Sequence, residues 1–188
     1  MMIETLKQID TQWFLTVNNG LQNPLFDAVC PWLREPKFWI PLYVLAAWFS
    51  YKKMGKQTLW IILGAALLVF ISDQFSATLI KKTVMRLRPC NEPLLQGKVH
   101  LLTYCGSGYS FMSAHATNHF AMAVYFGLMF KSYLPKLLPI ALLWAASIAF
   151  SQVYVGVHYP FDVICGAITG SAFGYAAAKF MSTKIQKI

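Results

Sequence analysis

The sequence predicts an all-α, polytopic membrane bundle of five to six spanning helices, preceded by amphipathic helices that lie at the interface. Two observations carry this expectation. Hydrophobic residues make up 57% of the 188 and charged residues only 12%, with a mean hydropathy of +0.49, far from the balance of a soluble domain. The apolar residues also collect into five runs, near 38–53, 57–80, 114–131, 136–157 and 162–180. A bilayer core of about 30 Å asks for about 20 helical residues, so the shorter runs imply flanking side chains that snorkel.

The segment 1–37 places Asp10, Asn18, Asn19 and Asp27 among apolar residues, as amphipathic interfacial helices do, and is also a candidate for a sixth, imperfect span. Its opening, "MMIETLKQID", has acids and no continuous apolar core before a small-residue cleavage site. No cleavable signal is therefore expected, and insertion falls to the helices themselves. Residues 38–188 follow as one membrane domain without internal repeats or low-complexity tracts.

The net charge of +9 raises the possibility of nucleic acid, but the lysines sit in short clusters between apolar runs. Topology signals and headgroup contacts are the better reading of that placement, and no nucleic-acid partner is expected. Lys and Arg divide evenly between the two sides of a five-span arrangement, so their number does not orient it. The short loops 52–56 and 131–136 hold no acid, which places them inside and the loops 81–113 and 151–162 outside. Four cysteines show no C-x-x-C spacing and so no zinc or redox motif. Cys90 and Cys105 share the polar loop 81–113, where an oxidising compartment would allow a disulfide.

Three polar clusters fall on the outward side, as a site at the mouth of a bundle requires. In "KKTVMRLRP" (81–89), Lys81 and Arg88 are seven residues apart, two turns of a helix expected to continue to Pro89. Alone, they read better as a juxtamembrane anchor. In "FMSAHATNH" (111–119), Ser113 precedes an apolar run as an N-cap does, and the free amides of the first turn form an anion site beside His115. His119 reads as a packing residue, since H-x-x-x-H without an adjacent acid is weak evidence for metal. In "SQVYVGVHYPFD" (151–162), a carboxylate at Asp162 can hold one nitrogen of His158 and leave the other as nucleophile or base. The bland alternative there is an interfacial cap and a headgroup-contacting histidine.

Together the clusters resemble the type 2 phosphatidic acid phosphatase superfamily of membrane lipid phosphatases. Its K-x6-R-P motif is matched by Lys81, Arg88 and Pro89. Its P-S-G-H motif is present as "MSAH", with Met112 and Ala114 in place of proline and glycine. Its S-R-x5-H-x3-D motif keeps Ser151, His158 and Asp162 but has Gln152 for the arginine. The resemblance covers residues from about 38 to 180.

This resemblance implies a metal-free phosphatase without cofactor, in which His158 attacks phosphorus to form a phosphohistidine, Asp162 orients it, and His115 is acid and then base. Lys81, Arg88, Ser113, Ala114 and Gln152 are implied as the phosphate ligands. Gln152 carries no charge, so one Coulomb term to the phosphoryl oxygens is absent unless Arg86 or Lys82 replaces it. The implied substrate is a lipid phosphate or diphosphate of the bacterial inner membrane, met on the outer face. Undecaprenyl diphosphate is favoured, with lipid A, phosphatidylglycerol phosphate and phosphatidic acid as alternatives. The bilayer and its lipid are the expected partners, with no obligatory protein partner. Two competing readings remain at this point: a non-catalytic lipid-phosphate-binding protein, and a metal-dependent hydrolase built on His115, His119, His158 and Asp162.

Overall fold

The computed structural model describes residues 2–185, which form helices and connecting coil with no strand among them. Helices α1 (Met2–Asn18) and α2 (Pro24–Leu33) come first. After a short 3-10 turn, α3 (Ile40–Met54) leads into α4 (Thr58–Asp73), which passes through π-helical turns (Gln74–Ile80) into the short α5 (Lys81–Val84). A loop of two single-turn helices and coil precedes α6 (Ala114–Met129), α7 (Leu137–Tyr154) and α8 (Pro160–Ile185).

Helices α7 and α8 are long and apolar enough to cross a membrane, and so is a window within Pro36–Leu95, the stretch that contains α3, α4 and α5. The 16 residues of α6 rise about 24 Å. Large apolar side chains face outward on the long helices, among them Val44, Leu67, Leu143 and Ile168. That is the reverse of a soluble bundle and fits a protein whose solvent is lipid.

Helices α6 and α8 form the tightest contact. Gly166, Gly170 and Gly174 of α8 lie against Ser113, Thr117 and Ala121 of α6, so their contacts advance together and the two helices run parallel. The glycines repeat every four residues and so share one face, where the absence of side chains lets the backbones close up. A Cβ at Gly170 would fall well inside the van der Waals surface of the Thr117 carbonyl oxygen, and one at Gly174 inside that of Ala121. These are backbone atoms and cannot swing away. At the shared N-terminal end, the Ser113 amide donates to the Asp162 carbonyl at 3.1 Å. Ile61 and Leu68 of α4, Tyr125 of α6 and Ala178 and Met181 of α8 form the core that fixes α4 to this pair.

The N-terminal segment packs against the same end of the bundle. Phe14 of α1 is fully buried and meets Tyr159 edge-on at 5.5 Å. Asn18 donates to the carbonyls of Tyr154 and His100 at 2.7 and 2.8 Å and accepts from the His100 amide at 2.8 Å. One side chain thus ties α1 to the end of α7 and to the long loop.

The structure corrects one expectation. The helix carrying Lys81 does not continue to Pro89: it ends at Val84, Met85 takes a left-handed conformation (φ 48°), and Arg88 is extended. Proline at 89 crowds the α conformation at the preceding residue, which accounts for the extended Arg88. Lys81 and Arg88 are therefore brought together by a reversal of the chain rather than by helical periodicity. Cys90 and Cys105 are joined by a disulfide that closes the loop behind Arg88.

Two outcomes follow. Gly170→Leu is expected to destabilise the bundle by about 1–3 kcal/mol or more, because the overpacking is against backbone. Thermal unfolding in detergent checks this, with Ile168→Leu on the outward face as the neutral control. Replacing both Cys90 and Cys105 by serine should cost about 3 kcal/mol on a loop-closure estimate and lower the unfolding temperature, an effect that a reductant reproduces in the native chain.

Candidate active site

Three helix ends and one loop converge on His158. It follows α7 in the short turn Val155–Tyr159 and is 2% exposed. Its amide and that of Val157 both donate to the Gln152 carbonyl at 3.2 Å, closing the last turn of α7. Pro160 then starts α8, which brings Asp162 one helical turn away from the imidazole.

The Asp162 carboxylate is fully buried, and its contacts account for that. Oδ2 lies 3.5 Å from His158 Nδ1 and accepts from the Tyr159 amide at 2.9 Å and from the Ser110 hydroxyl. Ser110 Oγ is also 3.4 Å from His158 Nδ1, so it bridges the pair. Oδ1 accepts from Arg86 Nη1 at 2.9 Å. With Nδ1 turned to Asp162 and Ser110, the hydrogen-bonding pattern assigns the proton to Nδ1 and leaves the Nε2 lone pair for chemistry. Burial pushes the His158 imidazole down to about 4, against the opposing pull of Asp162. It is therefore neutral at pH 7, the form a nucleophile requires.

Arg86 binds a second carboxylate. Its Nη1 lies 2.7 Å from Asp10 Oδ2, and its guanidinium stacks on the Tyr159 ring at 3.7 Å. Asp10, fully buried in α1, accepts from the Phe161 amide at 2.8 Å and so caps the first turn of α8 from another helix. The Arg86 charge is thus shared between two buried carboxylates.

The other sequence-predicted residues are placed as follows. Arg88 donates from Nε to the Gly108 carbonyl at 2.9 Å and from Nη1 to that of Val157 at 3.4 Å, which sets its guanidinium beside His158. Lys81 is half-buried, and both Arg88 and Asp162 act on its charge. Among the described residues neither Lys81 nor Arg88 forms an ion pair with a carboxylate. Ser113 is a buried N-cap whose hydroxyl accepts from the Ala116 amide. The first-turn amides of Ala114 and His115 have no intrahelical partner. His115 lines a cavity of about 380 Å³ with Ala114, Asp73 and Pro36. Gln152 is fully buried beside His158, and both polar atoms of its amide lack a hydrogen-bond partner among the described residues. Ser151 donates its hydroxyl to the Ile148 carbonyl within α7.

Of the alternative ligands, His119 gives its Nδ1 hydrogen to the His115 carbonyl at 2.8 Å and packs edge-on against Trp144. Among the described residues no three His, Cys, Asp or Glu side chains converge as a metal site would. Arg86 and Lys82, the expected replacements for a missing cation, are not arranged as such: Arg86 is committed to Asp10 and Asp162, and Lys82 is exposed. Sequence reasoning also missed Ser110 and Asp10, whose partners lie 52 and 151 residues away along the chain. No local pattern signals either residue.

The arrangement sets a neutral, oriented imidazole beside cations that form no ion pair among the described residues and beside first-turn amides, a combination able to hold and attack a phosphoryl group. Comparisons with known proteins agree. Over 177 residues the chain is 31% identical to a lipid A 4'-phosphatase of Bacteroides thetaiotaomicron, covering 93% of this chain and 77% of that protein. Over 152 residues it is 34% identical to an undecaprenyl-diphosphatase of Sulfolobus acidocaldarius, covering 72% and 70%. The crystal structure of Aquifex aeolicus LpxE superposes with a TM-score of 0.67 at 25% identity, over 91% of this chain and 95% of that one. The family model of the PAP2 superfamily matches residues 57–186, a range that contains all three sequence clusters and the His158–Asp162 pair, and the chain belongs to that superfamily.

Proposed function

We propose that this integral membrane protein is a metal-independent lipid phosphatase that works through a phosphohistidine on His158, with the 4'-phosphate of lipid A as its substrate. The observation that carries the chemistry is the charge arrangement around His158: Arg86 is shared between the Asp10 and Asp162 carboxylates, while among the described residues neither Lys81 nor Arg88 forms an ion pair, which leaves both open to an anion. His158 Nε2 attacks phosphorus in line, and Asp162 and Ser110 hold the proton on Nδ1. Lys81, Arg88, the Gln152 amide and the amides of Ala114 and His115 stabilise the equatorial oxygens, where charge resides in the transition state. His115 protonates the leaving oxygen and then activates the water that cleaves the phosphoenzyme.

Lipid A is supported by the likeness to the Bacteroides enzyme, which extends over 93% of the chain. Undecaprenyl diphosphate, favoured from the sequence, is the second reading, supported by the Sulfolobus relative. An outward-facing site in a bacterial inner membrane fits both, and the Cys90–Cys105 disulfide suits an oxidising side.

The test is phosphate release by the detergent-purified protein, in excess chelator, from lipid A, undecaprenyl diphosphate and phosphatidylglycerol phosphate in parallel. Lipid A is expected to be hydrolysed fastest, and His158→Ala to abolish release from every lipid. Faster turnover of the polyprenyl diphosphate would reassign the substrate, and loss of activity in chelator would overturn the metal-free mechanism. Asp10→Asn is expected to lower kcat about 10- to 100-fold with little change in KM, because it loosens the Arg86–Asp162 support of the nucleophile without touching the substrate. Steady-state kinetics on a variant of native unfolding temperature measures this.

A further inference from the structure

Arg34, which closes α2, has no counterpart in the three sequence clusters. Its Nη1 donates to Thr103 Oγ1 at 2.5 Å, while its Nε is buried without a hydrogen-bond partner among the described residues. Thr103 belongs to the loop closed by the Cys90–Cys105 disulfide, and Gly108, whose carbonyl holds Arg88, follows three residues after Cys105. Two residues beyond Arg34, Pro36 lines the cavity of about 380 Å³ that also contains Ala114 and His115. The guanidinium therefore sits at the edge of the active site, held there by the loop that holds Arg88.

The charges around it point the same way. Arg34 is the foremost charged group acting on His115, and Arg88 acts on Arg34. Among the described residues Arg34 forms no ion pair, although the exposed Glu35 beside it also acts on its charge. A half-buried guanidinium that feels the charge of another is costly unless an anion offsets both. Next to His158, Gln152 has a buried, neutral amide without a hydrogen-bond partner among the described residues, at the position where the superfamily resemblance implies arginine.

Resting on the phosphatase reading above, we infer that Arg34 is a third cationic ligand of the substrate phosphate, supplying from the N-terminal segment the charge that position 152 lacks. A guanidinium there donates to a phosphoryl oxygen from the His115 side while Arg88 and Lys81 hold the others. Gln152, relieved of carrying charge, contributes a neutral N–H donor from below.

Complementation tests this. kcat/KM for phosphate release, and inhibition by orthovanadate as a phosphoryl mimic, are measured for the native chain, Arg34→Ala, Arg34→Lys, Gln152→Arg and the double variant Arg34→Ala/Gln152→Arg. Arg34→Ala is expected to lose about 100- to 1,000-fold in kcat/KM and to weaken vanadate inhibition, as removal of one preorganised donor does. Arg34→Lys should fall between, because an ammonium keeps the charge but not the fork. The double variant should recover at least about tenfold over Arg34→Ala, a gain that a merely misfolded variant would not show. Native-like kcat/KM in Arg34→Ala overturns the inference, and so does a loss that Gln152→Arg leaves unrestored. Absence of turnover by the native chain on any lipid phosphate would instead count against the phosphatase reading itself.

Discussion

The site depends on one shared cation. Asp10 and Asp162 are both fully buried, and two carboxylates so close would repel and resist ionisation without a positive charge between them. Arg86 lies within 2.7 and 2.9 Å of them, and Tyr159 supports its flat face. Asp162 can then stay ionised against His158 in a dry setting. The consequence reaches further than the pair, because Arg86 holds both carboxylates beside the nucleophile and, among the described residues, Lys81 and Arg88 form no ion pair that a phosphate would have to displace. A fully balanced site would stabilise the empty protein and bind an anion poorly.

That sorting of charge needs backbone precision, which the contact between α6 and α8 provides. The glycine face of α8 brings its backbone onto that of α6, and the Ser113 amide meets the Asp162 carbonyl at their common end. Ser113, His115 and Asp162 are thereby referred to one rigid pair of helices, and His158 sits in the short turn that leads directly into α8. The N-terminal helix completes the assembly by capping α8 through Asp10 and by fastening the long loop through Asn18. An element that reads as a peripheral amphipathic segment is thus joined directly to the nucleophile's support.

The difference between what was legible and what was not follows from the range of the interactions. The long helices were readable because lipid imposes long apolar runs: α3, α6 and α7 begin and end within three residues of those runs, α4 fills its run together with the π-helical turns to Ile80, and α8 runs five residues past the end of its own. The pairing of His158 with Asp162 was readable because it spans four residues. The break after Val84 was not, since methionine seldom adopts positive φ and no local feature marks Met85 for it. Asp10, Ser110 and Arg34 were invisible as site residues for another reason: their roles come only from partners far along the chain. The glycines at 166, 170 and 174 were a signal in plain view, a four-residue repeat of small residues inside an apolar run.

The parallel course of α6 and α8 has a further effect. Each helix carries a macrodipole equivalent to about half an elementary positive charge at its N-terminus. In an antiparallel pair the two fields would cancel at either end, but here both positive ends meet where Ser113 and Asp162 touch. The main chain alone therefore contributes close to one unit of positive charge to the reaction centre. That contribution belongs to the topology, so it survives any side-chain exchange among the phosphate ligands and leaves the protein free to move its arginines from one element to another.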